Sequence, residues 1–200
     1  MTNATRVGLD ADGILCDLET AWQTHAEQIL GRPIPKVSNH YAFTKRLGIT
    51  SSEEVQVWAS FARQWSHVPM YDHAHKLVYG LEDLGCEVFV ITAIHPRHHR
   101  ARALSLLDLI PEDHVICVHH EDMAAGKAAV LERLEATAFL DDHPGNVNAA
   151  MHRIALPVWM DHGYQGLEAP IDGVTVINDV LDFPMLVEQF LRRTRMGKAG

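Results

Sequence analysis

The sequence lacks several features that would assign it to a specialised class of protein. Only three of its 200 residues are cysteine, an odd number that argues against a disulfide scaffold. No apolar run approaches the roughly 20 residues needed to span a bilayer. The formal net charge of −9 leaves no basic surplus for binding a nucleic-acid polymer. We therefore expect a globular protein that binds neither a membrane nor a nucleic-acid polymer.

The positions of the cysteines and the composition of the first residues indicate in which cellular compartment the protein lies. Cys16, Cys86 and Cys117 each lie beside or within a predicted strand, which is typical of buried thiols in a reducing environment. Residues 1–6 contain no apolar stretch of the kind that a secretion signal requires. Both observations predict a cytoplasmic location.

Six short apolar runs alternate with amphipathic helical stretches along the chain. The runs are residues 6–9, 87–92, 114–118, 137–140, 155–160 and 174–177. Continuous apolar runs are typical of strands that are buried on both faces of a parallel sheet. The helical patterns are residues 72–84, 97–109, 127–134 and a last helix from about residue 184. This alternation predicts an α/β fold with a doubly wound, Rossmann-like parallel sheet.

The connection after the first strand is too long for a simple crossover. Leu18–Leu30 has a helical pattern that ends at Gly31, and Thr50 has the sequence context of a capped start for a helix that runs to about Trp65. We therefore expect a small helical cap at residues 18–70, inserted after the first strand, with a core formed by residues 1–17 and 71–200. Because ligands bind at the carboxyl edge of a doubly wound sheet, the cap would cover the binding site.

The first strand leads into two carboxylates, Asp10 and Asp12, and then into Gly13. Residues i and i+2 of a strand point the same way, so the two acids would start on one face. Two acids held together repel each other, and a bound cation is the natural compensation. The structural alternative is an ordinary turn in which an aspartate closes the strand.

Three later polar features also lie where a predicted strand ends or a predicted helix begins. Thr92 ends the second predicted strand, Lys127 follows a glycine at the start of a predicted helix, and the pair Asp141-Asp142 follows another apolar strand. Each has an ordinary alternative when taken alone. A β-branched strand residue needs no function, a lysine in a first helical turn is usually solvated, and an acid after a strand often caps a helix.

Taken in order, these features resemble the four motifs of the haloacid dehalogenase-like phosphohydrolases: DxD, Ser/Thr, Lys and DD. The resemblance spans about Val7 to Asn148. A helical insertion directly after the first motif is similar to the 5'-nucleotidase (deoxyribonucleotidase) branch. The resemblance implies a phosphomonoesterase that acts on a nucleoside 5'-monophosphate. Two alternatives stay open: a phosphatase of another small metabolite, such as a sugar phosphate, or a non-catalytic metal- or partner-binding protein on the same scaffold.

The resemblance also implies the catalytic and metal-binding residues. Asp10 would be the nucleophile that forms an aspartyl-phosphate intermediate, and Asp12 the general acid and then the general base. The cofactor would be Mg²⁺, held by Asp10, the Asp12 backbone carbonyl and Asp142, with Asp141 acting through water. The order within the Asp141-Asp142 pair stays open.

The substrate-binding residues implied by the resemblance lie in two parts of the chain. The Thr92 hydroxyl, the Ala93 amide and the Lys127 ammonium group would bind the phosphate. The residues expected to contact the base are Leu18, Tyr41 and Phe43. Trp22 and Trp58 could serve the same purpose or could fill the core of the cap itself. Relatives often form dimers, so a homodimer is open, although the sequence identifies no interface.

Fourteen histidines raise the question of a second metal site. His95, His98 and His99 have i, i+3, i+4 spacing, and His119-His120 precede Lys127. Histidines one turn apart can share zinc, but no supporting motif such as H-E-x-x-H is present. We expect surface histidines, some of which touch a substrate phosphate from the loop around residue 97. The basic run at residues 97–102 is expected to be a solvated helix face.

Overall fold

The structure, a computed structural model, describes residues 4–197. Six strands form one sheet: β1 (Thr5–Leu9), β2 (Cys86–Thr92), β3 (Val115–Cys117), β4 (Ala138–Asp141), β5 (Leu156–Met160) and β6 (Thr175–Ile177). Every strand pairing is parallel, and the spatial order is β3-β2-β1-β4-β5-β6. Each predicted strand lies within one residue of its observed bounds. The prediction of a doubly wound α/β fold is confirmed.

The strand order fixes where a site can form. From β1 the chain winds outward through β2 and β3, and then returns to place β4 on the other side of β1. At such a reversal the crossovers run to opposite faces of the sheet, which leaves a crevice beyond the carboxyl ends of the two central strands. Leu9 pairs with Leu140 in this register, so the residues that follow β1 and those that end β4 meet at the crevice.

Helices cover both faces of the sheet. They are α1 (Leu18–Leu30), α2 (Phe43–Leu47), α3 (Ser51–Phe61), α4 (Ala74–Glu82), α5 (His99–Ser105), α6 (Met123–Arg133), α7 (Pro144–Ala150) and α8 (Asp182–Gly197). Phe139 packs with the α6 and α7 side of the core, whereas its neighbour Leu140 packs with the α4 and α8 side. Successive strand residues point to opposite faces, so a strand buried on both sides needs an unbroken apolar run.

Helices α1 to α3 and a 3₁₀ turn at Trp65–His67 lie in the expected insertion, which we call the cap (residues 18–70). The side chain of Thr50 accepts from the Glu53 amide, and the Glu53 carboxylate accepts from the Thr50 amide, which is a complete capping box for α3. Trp22 is fully buried and stacks on Phe43 at 4.5 Å, so it belongs to the core of the cap. The division into two domains stays a prediction.

The cap is attached to the rest of the chain at two places. Where the chain leaves and returns, the Asp17 amide donates to the Pro69 carbonyl at 2.8 Å, and the Tyr71 amide donates to the Leu15 carbonyl at 2.9 Å. On another side of the cap, the loop at residues 39–41 bonds to the loop that follows β5. The Tyr41 amide donates to the Gln165 carbonyl at 2.9 Å.

The predicted helices differ from the structure at several of their ends. Helix α6 begins at Met123 rather than at Lys127, because Gly126 lies inside the helix, where a Cβ would approach the Val118 side chain to 3.2 Å. This glycine permits close helix–strand packing and does not mark a helix start. Helix α5 ends at Ser105 rather than near residue 109, and α3 ends at Phe61 rather than near residue 65.

Within the described part of the chain, no helix combines the length and the apolar character that crossing a membrane would require.

Candidate active site

Three buried carboxylates meet at the crevice between β1 and β4. Asp10 follows β1, Asp141 ends β4, and Asp142 is the next residue. The Asp10 amide donates to the Leu140 carbonyl at 2.8 Å, which continues the sheet pairing into the site. One carboxylate oxygen from each of the three acids lies within 4.8 Å of the others. The crevice therefore concentrates negative charge in a place with little access to water.

Gly13 makes this approach possible. Its φ of +84° is a left-handed conformation, which is costly for a residue with a side chain. A Cβ built on Gly13 would also lie 2.3 Å from Oδ2 of Asp142. The glycine of the D-x-D-G sequence thus allows the turn after β1 to approach the end of β4.

Lys127 supplies the cation nearest to these acids. It lies one turn inside α6, and its Nζ is 2.8 Å from Oδ1 of Asp10 and 2.7 Å from Oδ2 of Asp141. Its side chain is 1% exposed, so the alternative of a solvated lysine in a first helical turn is wrong. Burial lowers the pKa of Lys127, but the two carboxylates outweigh burial and raise it above its ordinary value.

One lysine does not balance three carboxylates. Burial raises the pKa of Asp10 to about 7, with Asp141 and Asp12 adding to the rise and Lys127 opposing it. Burial, Asp141 and Asp10 likewise raise the pKa of Asp142 well above its ordinary value. Ionising all of these acids therefore requires further positive charge. Closely spaced carboxylate oxygens are the ligands that hard divalent cations such as Mg²⁺ prefer.

The two acids of the Asp141-Asp142 pair have different surroundings. The Asp141 carboxylate accepts from Lys127, from the His143 amide at 2.8 Å and from Nδ2 of Asn146 at 2.9 Å. The Asp142 carboxylate accepts no hydrogen bond from residues 4–197 and borders the cavity described below. Asp142 is thus free to bind a cation directly, whereas Asp141 holds Lys127 in place.

Asp12 is held by an arginine that sequence reasoning missed. Nη2 of Arg102 donates to Oδ1 of Asp12 at 2.6 Å and to Oδ2 at 2.8 Å. Arg102 is fully buried, and its guanidinium group lies 4.9 Å from the centre of the Trp65 ring of the cap. The prediction of a solvated face at residues 97–102 is therefore wrong at Arg102. Its flanking residues, Ala101 and Ala103, were the available sign that the helix turns toward the core there.

Thr92 and Ala93 lie at the end of β2, beside β1. Thr92 is fully buried, and its Oγ1 has no hydrogen-bond partner among residues 4–197. A buried hydroxyl without a partner is costly, so this oxygen is suited to contact a bound group. Ala93 borders the cavity.

A cavity of about 720 Å³ separates the acids from the cap. Its lining includes Asp10, Asp12, Asp142 and Lys127, together with the three residues expected to contact a base, Leu18, Tyr41 and Phe43. Further aromatic residues line it as well: Trp58, Trp65, Tyr71 and Tyr164. This volume and this apolar lining are typical of sites for small organic ligands.

Arg46 and Tyr164 are also lining residues that the sequence did not indicate. Arg46 is 4% exposed and donates to Glu19 at 2.6 Å, and its guanidinium group lies 4.2 Å from the centre of the Tyr164 ring. Tyr164 comes from the loop after β5, far from Arg46 in sequence. Only the folded chain brings the two together.

A dedicated histidine metal site is not formed by the described residues. Within residues 4–197, the acids Asp10, Asp141 and Asp142 are the group of three side chains with metal-ligand spacing. His95 lies near His98 and His119, with ring centres 6.3 and 4.5 Å away, but these rings do not converge on one point as metal ligands would.

No protein-family model matches the chain, and no curated protein matches it by sequence. Solved structures do match its fold. A haloacid dehalogenase-like hydrolase from Streptococcus pneumoniae is 16% identical, with a TM-score of 0.60 over 96% of this chain and 100% of the other. An L-2-haloacid dehalogenase is 15% identical, with a TM-score of 0.60 over 94% and 100%. A haloacid dehalogenase-like protein of unknown function from Agrobacterium tumefaciens is 14% identical, with a TM-score of 0.61 over 94% and 100%.

These structures define the class of fold. The chain has the α/β fold of the haloacid dehalogenase-like hydrolases over nearly its whole length. At identities of this level the likeness concerns the fold alone, so the 5'-nucleotidase branch stays a prediction.

Proposed function

We propose that this chain is a Mg²⁺-dependent phosphomonoesterase that cleaves nucleoside 5'-monophosphates through an aspartyl-phosphate intermediate. The observation that carries the proposal is the buried group of Asp10, Asp141 and Asp142, served by one lysine and facing an aromatic-lined cavity. Phosphoryl transfer needs a nucleophile and nearby cationic groups, because charge develops on the transferred group and must be offset where it forms.

The residues present suit a magnesium ion. Asp10, the Asp12 backbone carbonyl and Asp142 would hold it, and Asp141 would act through water. When bound, Mg²⁺ offsets the charge of the phosphate and of the acids. The burial and the mutual proximity that raise the pKa of Asp10 and of Asp142 support this assignment, since both disfavour the ionised acids and a bound cation would offset both.

The chain's own residues then carry the reaction. A carboxylate oxygen of Asp10 attacks phosphorus, the ester P–O bond breaks, and Asp12 gives its proton to the leaving oxygen. In the second half, Asp12 takes a proton from water, which attacks the aspartyl phosphate and releases inorganic phosphate. Lys127, the Thr92 hydroxyl and the Ala93 amide would contact the phosphate oxygens throughout.

Several solved structures of this fold are named dehalogenases, so dehalogenation is the main enzymatic competitor. A halide leaves as a stable anion and needs no proton from an acid. Asp12 borders the same cavity as Asp10, and an acid in that place favours the reaction whose leaving alkoxide needs a proton. An uncompensated acid cluster also favours a reaction that uses a cation.

The aromatic lining favours a nucleotide over a sugar phosphate. Flat bases stack on aromatic rings, whereas sugars bind chiefly through hydrogen bonds to their hydroxyls. The lining of the cavity is rich in such rings. Arg46, a lining residue that could otherwise donate hydrogen bonds to sugar hydroxyls, is already paired with Glu19 and lies over the Tyr164 ring.

A release assay tests the proposal. The purified chain would be given nucleoside monophosphates, sugar phosphates and 2-haloacids, with phosphate and halide measured in Mg²⁺ and in excess EDTA. We expect phosphate from nucleotides in Mg²⁺, none in EDTA, and recovery when Mg²⁺ is restored. Phosphate from sugar phosphates alone would remove the nucleotidase assignment, and unchanged rates in EDTA would contradict the metal. Release of halide from 2-haloacids would show that the chain is a dehalogenase and not a phosphatase. A cytoplasmic location and a homodimer stay predictions.

A further inference from the structure

Two loops place basic side chains at the same cavity. The loop after β2 contributes His95, Arg97 and His98 around a 3₁₀ turn at Pro96–His98, and the loop after β3 contributes His120. These four residues, which we call the basic rim, line the cavity together with Asp10 and Lys127. The proposed phosphate contacts use none of them.

The rim is not neutralised by neighbouring acids. Within residues 4–197, no carboxylate oxygen lies within 4.0 Å of the Arg97 guanidinium group, whereas Arg46 and Arg102 each pair with an acid. The next arginine, Arg100, lies 4.0 Å from Glu112 and does not line the cavity. Arg97 is therefore available to an anion that enters the cavity.

Hydrogen bonds within the rim leave it rich in donors. Nε of Arg97 donates to Nε2 of His98 at 2.9 Å, and the Arg97 amide donates to Nδ1 of His95 at 3.1 Å. Because both of these imidazole nitrogens accept, the proton of each neutral ring lies on its other nitrogen. The remaining guanidinium and imidazole N–H groups are all donors, which suits the oxygens of a phosphate or carboxylate.

The acids that border the cavity lie elsewhere. Asp10, Asp12 and Asp142 are at the proposed metal site, and Glu19 and Glu54 belong to the cap. Glu19 is paired with Arg46 at 2.6 Å and with Lys36 at 2.9 Å. Partial desolvation, His119 and Arg97 lower the pKa of His95, which favours its neutral ring, so Arg97 supplies the positive charge of the rim and His95 supplies an N–H donor.

We propose that the basic rim is a second anion-binding subsite, and that the substrate carries a phosphate or carboxylate group in addition to the phosphate ester that is cleaved. This inference rests on the proposed function for the first phosphate. Where the proposed function has a nucleoside 5'-monophosphate, the subsite favours a phosphomonoester with a second anionic group, such as a nucleoside bisphosphate or a phosphorylated carboxylic acid.

Matched substrates test the subsite. Steady-state rates would be compared for a nucleoside 5'-monophosphate and its 3',5'-bisphosphate, and for glycerol 3-phosphate and 3-phosphoglycerate. The first pair adds a phosphate and the second adds a carboxylate, so the two sources of the anion are distinguished. We expect a higher kcat/KM for at least one two-anion substrate. In Arg97→Gln this preference should fall about tenfold, the loss typical of a charge-assisted hydrogen bond. In the control Arg100→Gln it should not change.

A binding measurement separates the subsite from the reaction. Calorimetry in Mg²⁺ would compare alkyl monophosphonates with bisphosphonates of two to five carbons, which the enzyme cannot hydrolyse. Tighter binding of a bisphosphonate, lost in Arg97→Gln but kept in Arg100→Gln, supports the subsite even if no ester is cleaved, and then only the proposed function fails. Equal affinity for the two probes at every length, or equal losses in both variants, overturns the subsite and leaves the phosphatase proposal intact.

Discussion

Asp10 is a single residue on which both the proposed chemistry and the local electrostatics depend. The variant Asp10→Asn keeps the shape of the side chain but removes its nucleophilic oxygen and its charge. We expect kcat for phosphate release to fall by about three orders of magnitude or more. Folding should be intact, because the change removes one of three crowded negative charges.

Steady-state kinetics and thermal unfolding measured side by side check this expectation. Asp113→Asn, at an exposed position in the turn at Glu112–His114, is the matched control and should retain full activity. Activity that survives Asp10→Asn would eliminate covalent catalysis by this residue.

The raised pKa of Asp10 gives a pH dependence with a defined sign. Its pKa is about 7 in the folded chain and ordinarily 3.8, so between these values the folded state binds more protons than the unfolded state. The free energy of unfolding contributed by Asp10 therefore falls as pH rises from about 4 to about 7. Asp142 acts in the same direction. A bound divalent cation should abolish the fall.

Urea unfolding at pH 5 and pH 8, with Mg²⁺ or with EDTA, measures this dependence. The difference in free energy between wild type and Asp10→Asn reports Asp10 together with its effect on Asp142. Histidines whose pKa is lowered by burial, such as His25 and His162, affect both proteins alike and cancel. In EDTA, wild type should lose stability relative to the variant between pH 5 and pH 8. A relative gain would show that Asp10 is not short of positive charge.

Among the structural elements, the loop after β5 contacts the cap, which its sequence alone does not indicate. Gly166 has φ +82°, and a Cβ there would lie 2.3 Å from Nε2 of His40 in the cap. Gly166→Ala should therefore displace His40 and weaken the bonds between residues 39–41 and 163–165. We expect a loss of about 1–2 kcal/mol from the left-handed backbone, together with a several-fold fall in kcat/KM as the cap loosens.

Gly31→Ala separates the two effects. Gly31 also has a left-handed φ, +65°, but a Cβ there meets nothing within 4 Å. It should cost a similar amount of stability in urea unfolding while kcat/KM stays unchanged. Equal kinetic effects in the two variants would mean that the contact with His40 does not hold the cap for catalysis.

The elements also explain what the sequence could and could not predict. The central strands β2 and β4 were predictable because they are buried on both faces and therefore consist mostly of apolar residues. The acids at residues 10, 141 and 142 were predictable because their motifs follow such runs. Arg102 and Tyr164 were not, because each acts through a contact made far along the chain. The start of α6 was missed because Gly126 has a packing role that looks like helix punctuation.

At the scale of the whole molecule, the strand order gathers the proposed chemistry at one edge. β1, β2 and β4 end side by side, and the loops after β2 and β3 carry the basic rim to the same cavity. A chain with a net charge of −9 repels anions on average, so local positive charge in the lining of the cavity would favour the approach of an anionic substrate.

The chain enters and leaves the cap at neighbouring points, where Asp17 and Pro69 are joined by a main-chain hydrogen bond. The order and pairing of the strands therefore do not depend on the number of residues in the cap. A cap of different sequence would change one wall of the cavity and with it the substrate that fits. The carboxylates beneath it keep their places.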